Sequence, residues 1–219
     1  LYILPDAVAL ALSRYVEGGG VLFADSRTGV KDETGLCHAR TLPGLLSDAL
    51  GITIEEYESL DHDWGRGQAF TYRVEGRGDL GGSYTATQTA EWVQPQRAET
   101  LASYSEWHMQ PYAAATRNRF GKGWGYFLGT VIEEEGFYDL LVGDILKRAD
   151  VAPALTPPAG VEASTREGNG RRLLFLVNHT EEAQTVEVPA GATELLSGAE
   201  IAGGLTLERY GVAVLQHDP

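Results

Sequence analysis

LYILPDAVALALSRYVEGGGVLFAD, residues 1–25, decides how the chain is read. An apolar run at residues 1–4 meets Pro5 and Asp6. Val8, Leu12, Tyr15 and Val16 then recur at helical spacing. Gly18, Gly19 and Gly20 interrupt, and residues 21–24 are apolar again. The pattern predicts strand, helix, tight turn, strand, with Asp6 as helix N-cap, one buried stripe and Gly18 as a left-handed C-cap. Two apolar strands joined by a crossover helix form a βαβ unit, so an α/β fold with a parallel sheet covered on both faces is expected. A chain that opens inside such a core strand reads as one shortened on its N-terminal side.

Outward from this unit, residues 26–35 (SRTGVKDETG) are polar and rich in turn formers, a loop beyond the carboxyl end of a strand, where α/β folds place functional loops. Residues 42–52 carry Leu45, Leu46, Ala49 and Leu50 at helical spacing, with Gly51 as the stop. Residues 54–61 turn acidic side chains to the surface. From residue 68 the pattern becomes alternating and rich in Thr, Tyr and Val, which predicts strands at 70–74, 83–93 and 99–104. Residues 112–120 and 124–130 flank a Gly-Lys-Gly loop and predict a hairpin. A helix is expected over 134–151, buried through Phe137, Leu140, Leu141, Ile145 and Leu146, with Lys147 and Arg148 suited to its C-terminal end.

Residues 153–160, with three prolines in APALTPPAG, read as a linker between a first domain (1–152) and a second (161–219). Beyond it the helical period disappears. Short alternating runs separated by EGNG, HTEE, PAGA and AGG predict a small all-β antiparallel sandwich.

The 219 residues carry a formal charge of −14. Up to Ala152 there are 13 basic and 22 acidic residues, and beyond it 4 and 9, so both parts are acidic. Such a surface disfavours nucleic acid and anionic lipid as partners and suits a neutral substrate or another protein. The absence of a long apolar run gives no reason to expect a membrane span. Cys37 is the single cysteine, which excludes an internal disulfide and a Cys-rich zinc site and is consistent with the cytoplasm.

The motifs point to architecture more than chemistry. Gly18-Gly19-Gly20 precedes a strand, whereas a dinucleotide fingerprint follows one and opens a helix. Cys37 lies in GLCHAR, away from any strand-to-helix elbow, so a nucleophilic role is not expected. Glu133, Glu134 and Glu135 suit a helix start, and Glu55, Glu56 and Glu58 a solvated face. Glu91 in TAEWV and Glu106 in SEWHM are flanked by aromatics and read as structural or rim carboxylates. Trp107, His108 and Tyr112 in EWHMQPY form an aromatic cluster of the kind used at interfaces or against sugars, with Trp92 beside them if the strands pair. Trp64 and the Asp61-His62-Asp63 run give no specific metal signature. The Asn178-His179-Thr180 sequon reads as a turn.

Several stretches taken in order resemble one family, the β-galactosidases of glycoside hydrolase family 42. They are residues 4–35 (LPDAVALALSRYVEGGGVLFADSRTGVKDETG), LPGLLSDALGITIEEYESL, AETLASYSE with AAATRNRFGKGWGYFLGT, GRRLLFLVNHTEEAQTVEVP and LTLERYGVAVL. The resemblance implies a Rossmann-like, amidotransferase-like trimerisation domain followed by a small β domain, without the catalytic (β/α)₈ barrel. It therefore implies no catalytic residue, metal or cofactor in this chain. It implies a homotrimer joined to a β-galactosidase barrel, with Trp107, His108 and Tyr112, and the loop at 26–35, as subunit-interface or active-site-rim contacts. The alternatives are a free-standing sugar-binding or scaffold protein derived from that region, and an amidotransferase-like enzyme using Cys37.

Overall fold

In the computed structural model, which describes residues 1–60, 70–106, 108–153 and 155–217, α1 (Asp6–Glu17) and β1 (Val21–Asp25) form where the sequence predicts. Their details differ. Residues 1–4 do not make a core strand: Ile3 forms one isolated parallel bridge with Lys31, and Leu4 N–H donates to the Lys31 carbonyl at 2.8 Å. Pro5 is the N-cap, and Asp6, the first helical residue, instead pairs with Arg40 at 3.0 Å. Gly18 is right-handed, and Gly19 takes the positive φ, +123°, that ends the helix. The buried face of α1 runs through Ala9, Leu12 and Val16, while Val8 and Tyr15 stay 42% and 57% exposed.

The remaining elements of the first unit are α2 (Ser47–Leu50), β2 (Ile52–Ser59), β3 (Tyr72–Gly76), β4 (Gly82–Pro95), β5 (Glu99–Tyr104), β6 (Ala113–Phe120), β7 (Gly123–Leu128), β8 (Thr130–Ile132) and α3 (Glu135–Arg148). The helix expected over 42–52 is shorter, a 3₁₀ turn at Gly44–Leu46 leading into α2. Gly51 stops it at φ +67°, where a Cβ would strike the Asn118 side chain.

The sheet corrects the expected parallel architecture. Its strand order is β1-β7-β6-β5-β3-β4-β2, with β8 on β4, and among the described residues β1–β7 is its one parallel strand pair. The reason lies in the long run after residue 70. Its alternating Thr/Tyr/Val pattern and short Gly turns connect neighbours as hairpins, which forces antiparallel pairing. The sheet also curls so that β4 meets β6 at Val93–Ala113.

One core lies between this sheet and α3, around Val74, Tyr104, Tyr126, Leu128 and Phe137; another lies under α1 and α2, around Leu46, Leu50, Ile52 and Phe127. Fully burying one such side chain contributes about 1.5–3 kcal/mol. Leu140 and Leu146, expected inside, are 43% and 41% exposed, and α3 anchors itself through Phe137 and Leu141 instead. A charged tie adds to this. Asp144 accepts from Arg117 and from the Tyr126 hydroxyl, both at 2.6 Å, and Arg148 stacks 4.1 Å from the Trp124 ring.

The chain divides into Leu1–Val151 and Ala152–Pro219. The second unit contains β9 (Val161–Gly168), β10 (Arg171–Asn178), β11 (Gln184–Glu187), β12 (Ala192–Glu194), β13 (Ala199–Ile201), β14 (Gly204–Leu207) and β15 (Val212–His217). An antiparallel five-stranded sheet, β13-β12-β15-β10-β9, faces the pair β11-β14 across a core of Leu174, Leu176, Val186, Leu207 and Leu215. This is the small sandwich that the short alternating runs predict. Asn178 closes one of its turns: its amide donates to the Glu182 carbonyl at 2.7 Å and its Oδ1 accepts from Thr180.

Candidate functional site

Three strands of the first unit bring one face of polar and aromatic side chains together. Because β4 is long, β3 pairs with its first half and β2 with its second. Glu58 from β2, Tyr72 from β3 and Trp92 from β4 thereby meet. Trp92 Nε1 donates to Glu58 Oε1 at 2.9 Å, and the Tyr72 hydroxyl donates to Glu58 Oε2 at 2.5 Å. His108 Nε2 lies 3.1 Å from the same hydroxyl and 3.7 Å from Glu58 Oε1. The Tyr72 and His108 rings meet edge to face at 5.4 Å. Tyr112 packs on Trp92 with ring centroids 5.0 Å apart and donates to Glu55 Oε2 at 2.9 Å.

The loop carrying His108 is built to hold it there. Met109 is fully buried and anchors the turn. The Glu106 carboxylate accepts the Arg73 backbone N–H at 2.9 and 3.1 Å, fastening the loop to β3. Met109 and Gln110 N–H groups donate to the Glu106 carbonyl. Of the sequence-predicted residues, His108, Tyr112 and Trp92 therefore come together, and Glu106 serves as their tether. Trp107 lies outside the described residues, as do Trp64, Asp61, His62 and Asp63.

The electrostatics make this a bonding hub. Burial, and then the hydrogen bond to Glu58, push the Tyr72 phenol well above its ordinary value, so it stays a donor. Burial and the bond to Glu55 push Tyr112 the same way. Each Glu58 oxygen accepts one hydrogen bond, from Tyr72 or from Trp92, which ties the carboxylate to both neighbouring strands. The rings of Tyr72, Trp92, His108 and Tyr112 remain half-buried and offer a contact surface. Sequence reasoning missed Tyr72 and took Glu58 for a solvated residue. The signal lay in the pairing of β2 and β3 with successive parts of β4, which brings Glu58 within hydrogen-bond reach of Tyr72 and Trp92.

Glu91 is a second carboxylate of note. It has no exposed surface, and its Oε1 accepts the Arg27 backbone N–H at 3.0 Å. Burial, with a smaller contribution from Asp25, outweighs Arg27 and pushes its carboxyl up to about 7. It belongs to the interior and not to a rim. Cys37 is exposed, and among the described residues no three His, Cys, Asp or Glu side chains converge as metal ligands would. Nor is any helix among them long and apolar enough to cross a membrane.

Comparison with known proteins now adds to the geometry. Residues 1–152 match the family described as "Beta-galactosidase trimerisation domain", and residues 160–217 match "Beta-galactosidase C-terminal domain". The chain is 30% identical over 217 residues to the β-galactosidase BgaA of Planococcus sp. (strain 'SOS Orange'), covering 98% of this chain and 31% of that protein. It is 33% identical over 221 residues to the β-galactosidase BglY of Alicyclobacillus acidocaldarius subsp. acidocaldarius, covering 99% and 31%. Among solved structures, the β-galactosidase from Bacillus circulans sp. alkalophilus superposes with a TM-score of 0.87 at 29% identity, over 99% of this chain and 32% of that one. The chain thus spans about a third of the length of the relatives it matches.

Proposed function

The chain belongs to the β-galactosidase family of glycoside hydrolase family 42, and from that premise we propose that it is the assembly region of such an enzyme, its trimerisation domain and C-terminal β domain. The observation that carries the reading is the consecutive match of nearly the whole chain to these two family descriptions. In this reading a (β/α)₈ barrel elsewhere in the protein hydrolyses terminal β-D-galactosyl groups by a retaining mechanism. Two carboxylates of that barrel act as nucleophile and acid/base.

The shielded carboxylates of this chain support a structural role. Glu58 serves Tyr72 and Trp92, Glu106 serves Arg73, Glu134 serves Thr85, and Glu194 serves the turn at Leu196 and Ser197. The α1–β1 unit with its parallel partner β7 supports reading the first unit as a Rossmann-like, amidotransferase-like domain. A closed three-fold ring needs two unlike patches on each subunit. The outer face of α1 keeps Val8, Leu10 and Tyr15 half exposed, and that of α3 keeps Leu140, Val142 and Leu146 so. The aromatic hub at His108 and Tyr112 is assigned to the subunit interface or the rim of the active site. The exposed thiol of Cys37 suits a reducing cytoplasm.

The test is substitution in the native enzyme. Leu146→Asp on α3 is expected to lower the assembly mass from three subunits while the fold survives, because the side chain is already 41% exposed. Trp107→Ala and Tyr112→Ala are expected to change assembly mass or galactosidase kinetics. Unchanged mass and unchanged kinetics in all three variants would defeat the reading.

A further inference from the structure

Glu91 does more than fill space, because it holds one arginine at two points. Its Oε1 accepts the Arg27 backbone N–H at 3.0 Å, and the Arg27 guanidinium stands 4.0 Å from the same oxygen. That guanidinium also lies 3.5 Å from the centroid of the Tyr57 ring, and Tyr57 is directly opposite Glu91 in the β2–β4 register. Arg27 adopts φ +66°, a left-handed conformation that a non-glycine residue keeps only where its surroundings hold it. Arg27 and Tyr57 together wall an open groove of about 530 Å³, which Val30, His38, Arg40 and Glu55 also line.

The other side of Glu91 is bare. Oε2 is buried and has no hydrogen-bond partner, and the neighbouring Thr89 hydroxyl is likewise buried without one. Gly129 passes against the Glu91 side chain, where a Cβ would stand 3.4 Å from the Glu91 Cβ. The charged and titratable groups that face Glu91 are Arg27 and Asp25 from the end of β1, Tyr57 across the strand pair and Tyr104 from β5. Thr130 of β8 donates to the Thr89 carbonyl at 2.6 Å and brings no charge. Arg27 is thus the one cation among these neighbours.

We propose that Glu91 is a positioning residue operated by a proton: ionised, it draws Arg27 down against Tyr57 and fixes the loop after β1; protonated, it releases the guanidinium into the groove. An ionised carboxylate makes the Arg27 N–H bond charge-assisted and supplies a counter-charge to the guanidinium from within the core. A neutral carboxyl does neither. Burial raises the carboxyl to about 7, so both states are populated near neutrality. The groove then gains a free cation as pH falls, which favours an anionic group on whatever occupies it. This inference does not depend on the assembly reading.

Hydrogen exchange read by mass spectrometry on the native protein tests it, following a peptide that spans residues 26–30 between pH 5.5 and 8.5 after correction for intrinsic exchange. Protection of that peptide is expected to fall several-fold as pH is lowered through about 7, and to be flat across that range in Glu91→Gln. A flat profile in the wild type, or a Gln variant that titrates as the wild type does, overturns the proposal. Should Glu91→Gln fail to fold, Arg27→Ala decides. It keeps the backbone N–H but removes the guanidinium that favours ionisation, so the midpoint is expected to rise. An unmoved midpoint overturns the proposal.

Discussion

The Tyr72 hydroxyl donates to Glu58 Oε2 at 2.5 Å and stands 3.1 Å from His108 Nε2, so one phenol joins two strands to the loop beyond β5. Removing it takes the phenolic donor from Glu58 Oε2 and unties the two strands from each other at this point. Tyr72→Phe is therefore expected to destabilise the first unit by about 1–3 kcal/mol, read as a lower thermal midpoint by circular dichroism. An unchanged midpoint would show that the hub is not a structural tie.

Asp144 is the counter-charge of Arg117, whose side chain is only 13% exposed, and it also accepts from Tyr126. Burial works against its ionisation, but the bonds from Tyr126 and Arg117 outweigh it and hold its carboxyl below the ordinary range. Asp144→Ala removes one of the two carboxylates on Arg117 and the acceptor of Tyr126, a change expected to cost about 1–3 kcal/mol in denaturant unfolding. A loss under 1 kcal/mol would mean that apolar packing through residues such as Phe137 and Leu141, and not the charged tie, holds α3.

Glu91 gives the stability of the first unit an unusual pH dependence. Its folded carboxyl, at about 7, binds a proton more tightly than an unfolded glutamate near 4.5. Between these values the native state holds the extra proton, so stability falls as pH rises and levels off above about 7. The total amounts to roughly 3 kcal/mol. Denaturant midpoints between pH 4.5 and 8 are expected to decline in the wild type and to flatten in Glu91→Gln. A wild-type midpoint that rises across this range contradicts it.

In the second unit the sign is opposite. Burial opposes ionisation of Glu194, but the Ser197 hydroxyl and the backbone N–H groups of Val214, Leu196 and Ser197 outweigh it and bring its carboxyl down to about 2. Its contribution is present above the unfolded value and is lost as pH falls through the folded one. Glu194→Gln is expected to lower the melting temperature of this unit at neutral pH by the equivalent of about 2 kcal/mol, and to narrow the gap from the wild type at pH 2–3. A gap independent of pH would mean that the charge of Glu194 is not what holds the turn.

Local pattern carried much of the fold. Alternation and Gly turns placed β4 to β7 within a few residues of where they stand, and the short runs after the prolines pointed to the facing sheets of the second unit. The parallel sheet did not follow, because the apolar run at residues 1–4 looks like a strand but bonds to the loop at Gly29 and Lys31 and joins none of the described sheets. Helical spacing identified α1 and α3 yet misjudged their faces. Val8, Tyr15, Leu140 and Leu146 are apolar on sides that this unit leaves open, which periodicity cannot distinguish from buried ones. The candidate site was half legible. EWHMQPY marks itself by composition, whereas Glu58 and Tyr72 join it only through strand pairing. Arg27 joins Glu91 across a loop of no fixed pattern.

The measurement that tests the central claim most directly is the native mass of the protein isolated from its own organism, compared with the mass of one of its denatured subunits. The account predicts a particle of three identical subunits that carries β-galactosidase activity. A particle containing a single copy, without that activity, would contradict it.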